Sequence, residues 1–238
     1  MRSDAFDVGM LACHSISCLQ QVLFFFGAIS AESGLLFEVA LLGCKTLIEI
    51  ALDALPRDLV AHHVAFVLAT CCALFRFPLY SSSVLFVNII HLPLALNYAR
   101  KLVGARRGGA VDAAFCAEWL LVCGARFGML STQCYRTTFA HGEPLPVRWI
   151  FYLAFVFLTV LDTQWTRETF ATRPLPRGWT LQLGGGALLG AHFESRAMKA
   201  AWGAASAVSL LLGLRAFAVR GSYLLQGPSE RSKNTARD

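Results

Sequence analysis

Charge is the first thing this sequence lacks. Only 15% of its 238 residues are Asp, Glu, Lys or Arg, where soluble domains carry about 25%. Hydrophobic residues make up 56% of the chain and the mean hydropathy is +0.54. That balance excludes an ordinary soluble domain and points to a polytopic membrane protein. Paired-cysteine spacing is also missing. The eight cysteines, at positions 13, 18, 44, 71, 72, 116, 123 and 134, form no CxxC and fall mostly in apolar runs. They read as small packing residues, and neither a disulfide framework nor a metal site is expected. Histidine is too sparse for an iron-dependent hydroxylase or desaturase: the six, at 14, 62, 63, 91, 141 and 192, offer one adjacent pair and no HxxxH. The net charge of +6 comes without a basic stripe interleaved with aromatics, so no nucleic acid is expected as a partner. The basic residues fall instead in short loops and the tail, as positive-inside topology requires. The N-terminus has one Arg followed by Asp4 and Asp7 and no small-residue cleavage site, so the first span is expected to stay as an anchor. The final ARD is not a retention tetrapeptide.

What the chain does have is long apolar runs. Seven read as spans by length: 8–29, 34–55, 59–75, 79–98, 111–130, 149–165 and 201–219. An eighth run, 181–193, is short and glycine-rich and reads as re-entrant, interfacial or a short helix. The fold class is therefore all-α, a polytopic transmembrane helical bundle of about seven spans, six to eight. Pro93 frees a backbone carbonyl within the fourth span and predicts a kink there. Residues 131–148, with GEPLP at their centre, read as turn chemistry instead of helix. Arg100, Lys101, Arg106 and Arg107 make the most basic short loop, and Arg167, Arg173 and Arg177 mark another; both are assigned to the cytoplasmic side. The N-terminus then lies on that side too, and the tail's Arg220, Arg231, Lys233 and Arg237 join it only if 181–193 also crosses. Residues from Gly227 onward have the composition of a disordered tail.

Within these runs the polar residues are ordered. Glu38, Lys45, Glu49 and Asp53 fall within about 80° of one another on a helix, a stripe that should face protein or water. Lys45 and Glu49 are spaced to pair. The third span carries His62 and His63, and ionisable groups at membrane depth are costly enough to imply function. A helix starting near Pro56 puts His62 roughly 9 Å along its axis, at the border of headgroups and acyl chains. Asp58 shares its face four residues earlier and would fix one ring tautomer. His63 is rotated by roughly 100°, so it is open to a separate packing or hydrogen-bonding part. Glu118 and Arg126 lie in the fifth span and Asp162 in the sixth. Trp149 and Trp165 read as interfacial belt residues.

The order of these features resembles the TLC domain, shared by ceramide synthases, translocation-associated membrane proteins and small lipid-regulating proteins. A polar-striped helix precedes Arg57, Asp58, His62, His63 and Leu68, similar to R-D-x-x-x-H-H-x-x-x-x-x-L. A proline-bearing helix then ends in Asn97 to Leu102, NYARKL. Arg126 sits within the next span, and Leu161 to Trp165 close a later one as L-x-x-x-W. Together they cover roughly residues 35–170. The ceramide-synthase acids beyond the histidine pair are absent, since no Asp or Glu occurs between Asp58 and Asp112. The resemblance is thus to the small lipid-regulating branch.

That resemblance implies an anchor at 1–34, a TLC-like membrane domain at 35–220 and a polar tail at 221–238. The expected function is binding of lipid or regulation of membrane lipid composition. Two alternatives stay open: an acyl-CoA-dependent acyltransferase, with acyl-CoA as co-substrate and a sphingoid or similar acceptor, and a small-molecule transporter. His62, His63 and Asp58 are the candidate catalytic residues. Lys45, Glu49, His91, Arg126 and Asp162 are the candidate lipid-binding or pocket-lining residues, with no metal and no other cofactor. Membrane lipids are the expected partners, and a homo-dimer is left open. The endoplasmic reticulum is the implied location, with the plasma membrane or another endomembrane as alternatives.

Overall fold

The computed structural model describes residues 2–51, 57–104, 109–140, 142–171 and 173–225. It is an all-α bundle, with no strand among the described residues. Five helical stretches are long and apolar enough to cross a membrane: Phe6–Phe25, Pro78–Leu102, Ala110–Ala140, Leu145–Phe170 and Arg196–Val219. A shorter apolar stretch covers Val60–Phe75. Outward side chains such as Leu153, Val156, Val160 and Leu211 are exposed, while charged groups turn inward. This inversion of the usual soluble pattern is what an integral membrane protein needs.

Helix α1 (Arg2–Phe25) presents Leu11, His14, Cys18 and Gln21 to the interior, all at most 1% exposed. Gly27, at φ 77°, turns the chain, a conformation that L side chains rarely adopt. The Ser30 hydroxyl then accepts the Ser33 N–H at 3.2 Å and opens α2 (Ala31–Ala51), as an N-cap does. The charged stripe of α2 is buried: Glu38, Lys45 and Glu49 are each at most 8% exposed. Those charges keep α2 out of the apolar set even though it has 21 residues. Asp53 lies outside the described residues. Helix α3 (Arg57–Phe75) carries the histidine pair.

The fourth rod is broken. A 3-10 turn at Pro78–Tyr80 leads into α4 (Ser81–Phe86), a second 3-10 segment at Val87–Ile90, and α5 (His91–Leu102). The irregular turn sits just before Pro93, whose ring removes a hydrogen bond there, as the sequence predicts. The rod packs centrally: Leu85, Phe86, Ile89 and Leu92 are fully buried, and Phe86 meets Phe25, Phe193 and Trp202.

Helix α6 (Ala110–Tyr135) continues as a π-turn at Arg136–Ala140, so 131–140 is helical and the reading of turn chemistry is corrected for these residues. Ser131, Thr132 and Thr137 donate to carbonyls four residues earlier. Hydroxyls that would suit a loop are thereby satisfied inside the helix. The break comes at Gly142, at φ 62°, before Pro144 and α7 (Leu145–Phe170).

Helix α8 (Trp179–Ala191) is 13 residues, roughly 20 Å at 1.5 Å per residue, too short for a hydrocarbon core of about 30 Å. It lies against α6 backbone to backbone. A Cβ at Gly124 or Gly128 would collide with the carbonyls of Leu183 or Ala187, and one at Gly186 or Gly190 with those of Leu121 or Ala125. Two reciprocal GxxxG pairs thus bring the helices together, as small residues do within membranes. Helix α9 (Arg196–Leu225) packs on α1 and α5. The polar tail from Gly227 lies outside the described residues.

Candidate functional site

His62 is where three spaces meet. The first is an apolar chamber between α3, α4, α6 and α7, lined by Phe66, Ala69, Phe77, Met129, Phe151 and Phe157 among others, with His62 in its wall. The second is a small polar chamber lined by Ser17, Glu38, His63 and Asn88. The third is an open vestibule with Arg100, Lys101, Arg173, Trp119 and Trp165 on its walls. His14, Lys45, His62 and His91 line both the polar chamber and the vestibule. Each comes from a different helix, α1, α2, α3 and α5, so four elements must assemble to make the partition.

The partition is held by a chain of polar contacts. His14 Nδ1 and His91 Nδ1 are 2.8 Å apart, so one ring donates and the other accepts. Tyr98 stacks on His14 with centroids 5.4 Å apart. His91 Nε2 lies 3.6 Å from Glu38 Oε2, which accepts from the Ser17 hydroxyl at 3.2 Å. His63 Nδ1 is 3.1 Å from the Thr46 hydroxyl, and its Nε2 is 3.9 Å from Glu49 Oε2. Lys45 Nζ is 3.9 Å from Glu49 Oε1. These last separations are too long for hydrogen bonds, so spare bonding capacity remains. Glu38 Oε1, Asn88 Nδ2 and His62 Nδ1 are buried with no hydrogen-bond partner among the described residues.

The two histidines differ as their angular offset predicts. His63 is 6% exposed and held between α2 side chains. His62 faces the junction, with the edge of its ring toward Trp165 at 5.6 Å. Asp58 belongs to α3, but its side chain lies outside the described residues, as does its pairing with His62. Of the pocket-lining candidates, Lys45, Glu49 and His91 gather around His62. Arg126 and Asp162 do not join them. They form a hydrogen-bonded ion pair between α6 and α7, and Asp162 lines a separate lateral groove.

His14, Ser17 and Asn88 belong to the site although sequence reasoning passed over them. For α1 the signal was its spacing: His14, Ser17 and Gln21 stand at i, i+3 and i+7, one helical face. The vestibule cations are balanced from nearby. Arg100 and Arg173 both reach Asp112, at 3.1 and 3.2 Å, and Lys101 reaches Asp7 at 3.6 Å. Among the described residues no cluster of His, Cys, Asp and Glu could hold a metal ion.

The chain finds no match among protein-family models, curated proteins or solved structures.

Proposed function

We propose that this is an intramembrane lipid-handling protein that draws an acyl chain into the apolar chamber and holds its polar end at His62. One observation carries the reading: an apolar space is lined by a histidine that also borders a polar chamber and an open vestibule. A mostly apolar cavity with a few convergent polar groups is the usual form of a small-molecule site. The TLC resemblance points the same way, toward regulation of membrane lipid composition at the endoplasmic reticulum.

A second reading, acyl transfer, is favoured by the free Nδ1 of His62. As a general base it would take the proton of an amine or hydroxyl while that nucleophile attacks an acyl thioester; the carbon–sulfur bond breaks and the proton passes to the leaving thiolate. The test pairs mass spectrometry of lipids that copurify with the protein with an acyl-CoA transfer assay, on wild type, His62→Ala and His63→Ala. Lipid binding predicts a copurifying acyl lipid lost in the His62 variant, with no product in the transfer assay. Product formation that disappears with His62→Ala establishes the transferase. An acyl lipid present equally in all three proteins, with no transfer, contradicts any part for His62.

A further inference from the structure

The lateral groove between α6, α7 and α8 backs onto the apolar chamber through Leu130 and Leu158, and it has its own chemistry. Its floor is the glycine seam, Gly124, Gly184 and Ala187, with no side chain larger than a methyl group, and Phe127, Leu130 and Leu158 form apolar walls. Two of its side-chain oxygens have no partner among the described residues, the Thr159 hydroxyl and Asp162 Oδ2, and only the second carries charge. Asp162 is 8% exposed and its Oδ1 is taken by Arg126, whereas Oδ2 has no partner among the described residues. Two other hydroxyls are engaged: Thr163 donates to the Thr159 carbonyl at 2.7 Å, and Thr166 accepts the Trp119 indole N–H at 2.8 Å. A ligand must therefore supply one donor and, beyond it, an apolar body with a flat face.

Position sharpens this. Asp162 precedes Trp165 by three residues, roughly 4.5 Å of rise, so the acceptor lies toward the C-terminal end of α7, where the sequence places the interfacial belt. From Thr166 to Leu158 the groove follows α7 for about 12 Å, polar at the belt end and apolar toward the bilayer centre. A phospholipid would bring its phosphate against a carboxylate. A bare acyl chain would leave the carboxylate oxygen unanswered, which is costly in a low-dielectric setting. A rigid fused-ring lipid with a single hydroxyl meets every condition.

We infer that the α6–α7–α8 groove is a binding site for a sterol-class lipid, its ring face on Gly124, Gly184 and Ala187 and its hydroxyl donating to Asp162 Oδ2. Gly184 provides a clean test, because a Cβ there meets nothing within 4 Å; Gly185 is equally open but does not line the groove. A side chain can leave the backbone at either position without its Cβ meeting a neighbouring helix, and only Gly184→Leu adds bulk to the groove.

The full chain in phosphatidylcholine nanodiscs is photolabelled with a diazirine sterol that keeps its hydroxyl, and the labelled peptides are mapped by mass spectrometry. Saturable labelling of α7 and α8 is expected. Gly184→Leu should weaken it about tenfold, equivalent to some 1.4 kcal/mol of affinity, and Gly185→Leu should not change it. Methylating the probe's hydroxyl should weaken it similarly. Non-saturable labelling, equal loss in both leucine variants, indifference to methylation, or competition by diacylglycerol as effective as by unlabelled sterol each overturns the assignment.

Discussion

Two regions of the bundle handle polarity in opposite ways. Around the α6–α8 seam the helices touch through backbone, and the one buried charge pair nearby, Arg126 with Asp162, is closed by a direct hydrogen bond. In the quarter built by α1, α2, α3 and α5, ionisable groups stand 3.6 to 3.9 Å apart and several buried polar atoms have no partner. Both regions bury charge at a cost. The first answers charge with charge at hydrogen-bond distance, although Arg126 Nε and Nη2 keep no partner among the described residues. The second leaves the cost unresolved around two chambers, which suits a place where a ligand completes the bonding.

The contrast can be broken from the scaffold side. Arg126→Met strands the Asp162 carboxylate and should cost about 4 kcal/mol, as removing one partner of a buried pair does. Thermal unfolding in detergent would read this as a large fall in Tm, and adding Asp162→Leu should recover most of it. Gly128→Leu forces a side chain into the Ala187 carbonyl and should cost about 3 kcal/mol by overpacking, with loss of the folded fraction on size exclusion. On the chamber side the effects shrink. Thr46→Val removes the partner of His63 Nδ1 and should lower stability by about 1 kcal/mol while changing the lipid retained. Smallest is Gly43→Ala. No atom lies within 4 Å of a Cβ there, so relief of glycine's helical penalty should raise stability by about 0.5 kcal/mol. If the alanine substitution at Gly43 were as damaging as leucine at Gly128, the seam would not be special.

Much of the fold was legible because membrane helices write their length and polar face directly into sequence. The α2 stripe of Glu38, Lys45 and Glu49 could be placed inward from its angular spacing alone, and the separate surroundings of His62 and His63 followed from one step of helical rotation. The rest depends on which helix packs against which. His14 reads as an interruption in an apolar run until α5 brings His91 to it. Arg126 and Asp162, 36 residues apart, show their pairing only when α6 and α7 are set side by side. The glycines of 181–193 count against a span, and a short helix is one of the readings; their packing role depends on a partner with glycines at matching spacing. Residues 131–140 were misread because Ser and Thr serve a membrane helix by bonding back to its own carbonyls.

The central claim is that an acyl chain occupies the apolar chamber that His62 lines. Photolabelling the full chain in nanodiscs with a fatty-acyl probe that carries its diazirine in mid-chain tests it most directly. Ala69→Phe narrows the chamber, and Leu68→Phe, on the exposed side of the same helix, serves as the control. The account predicts labelling on chamber residues of α3 and α7 that Ala69→Phe abolishes and Leu68→Phe leaves intact. Labelling confined to outward-facing residues, or equal in both variants, would contradict it.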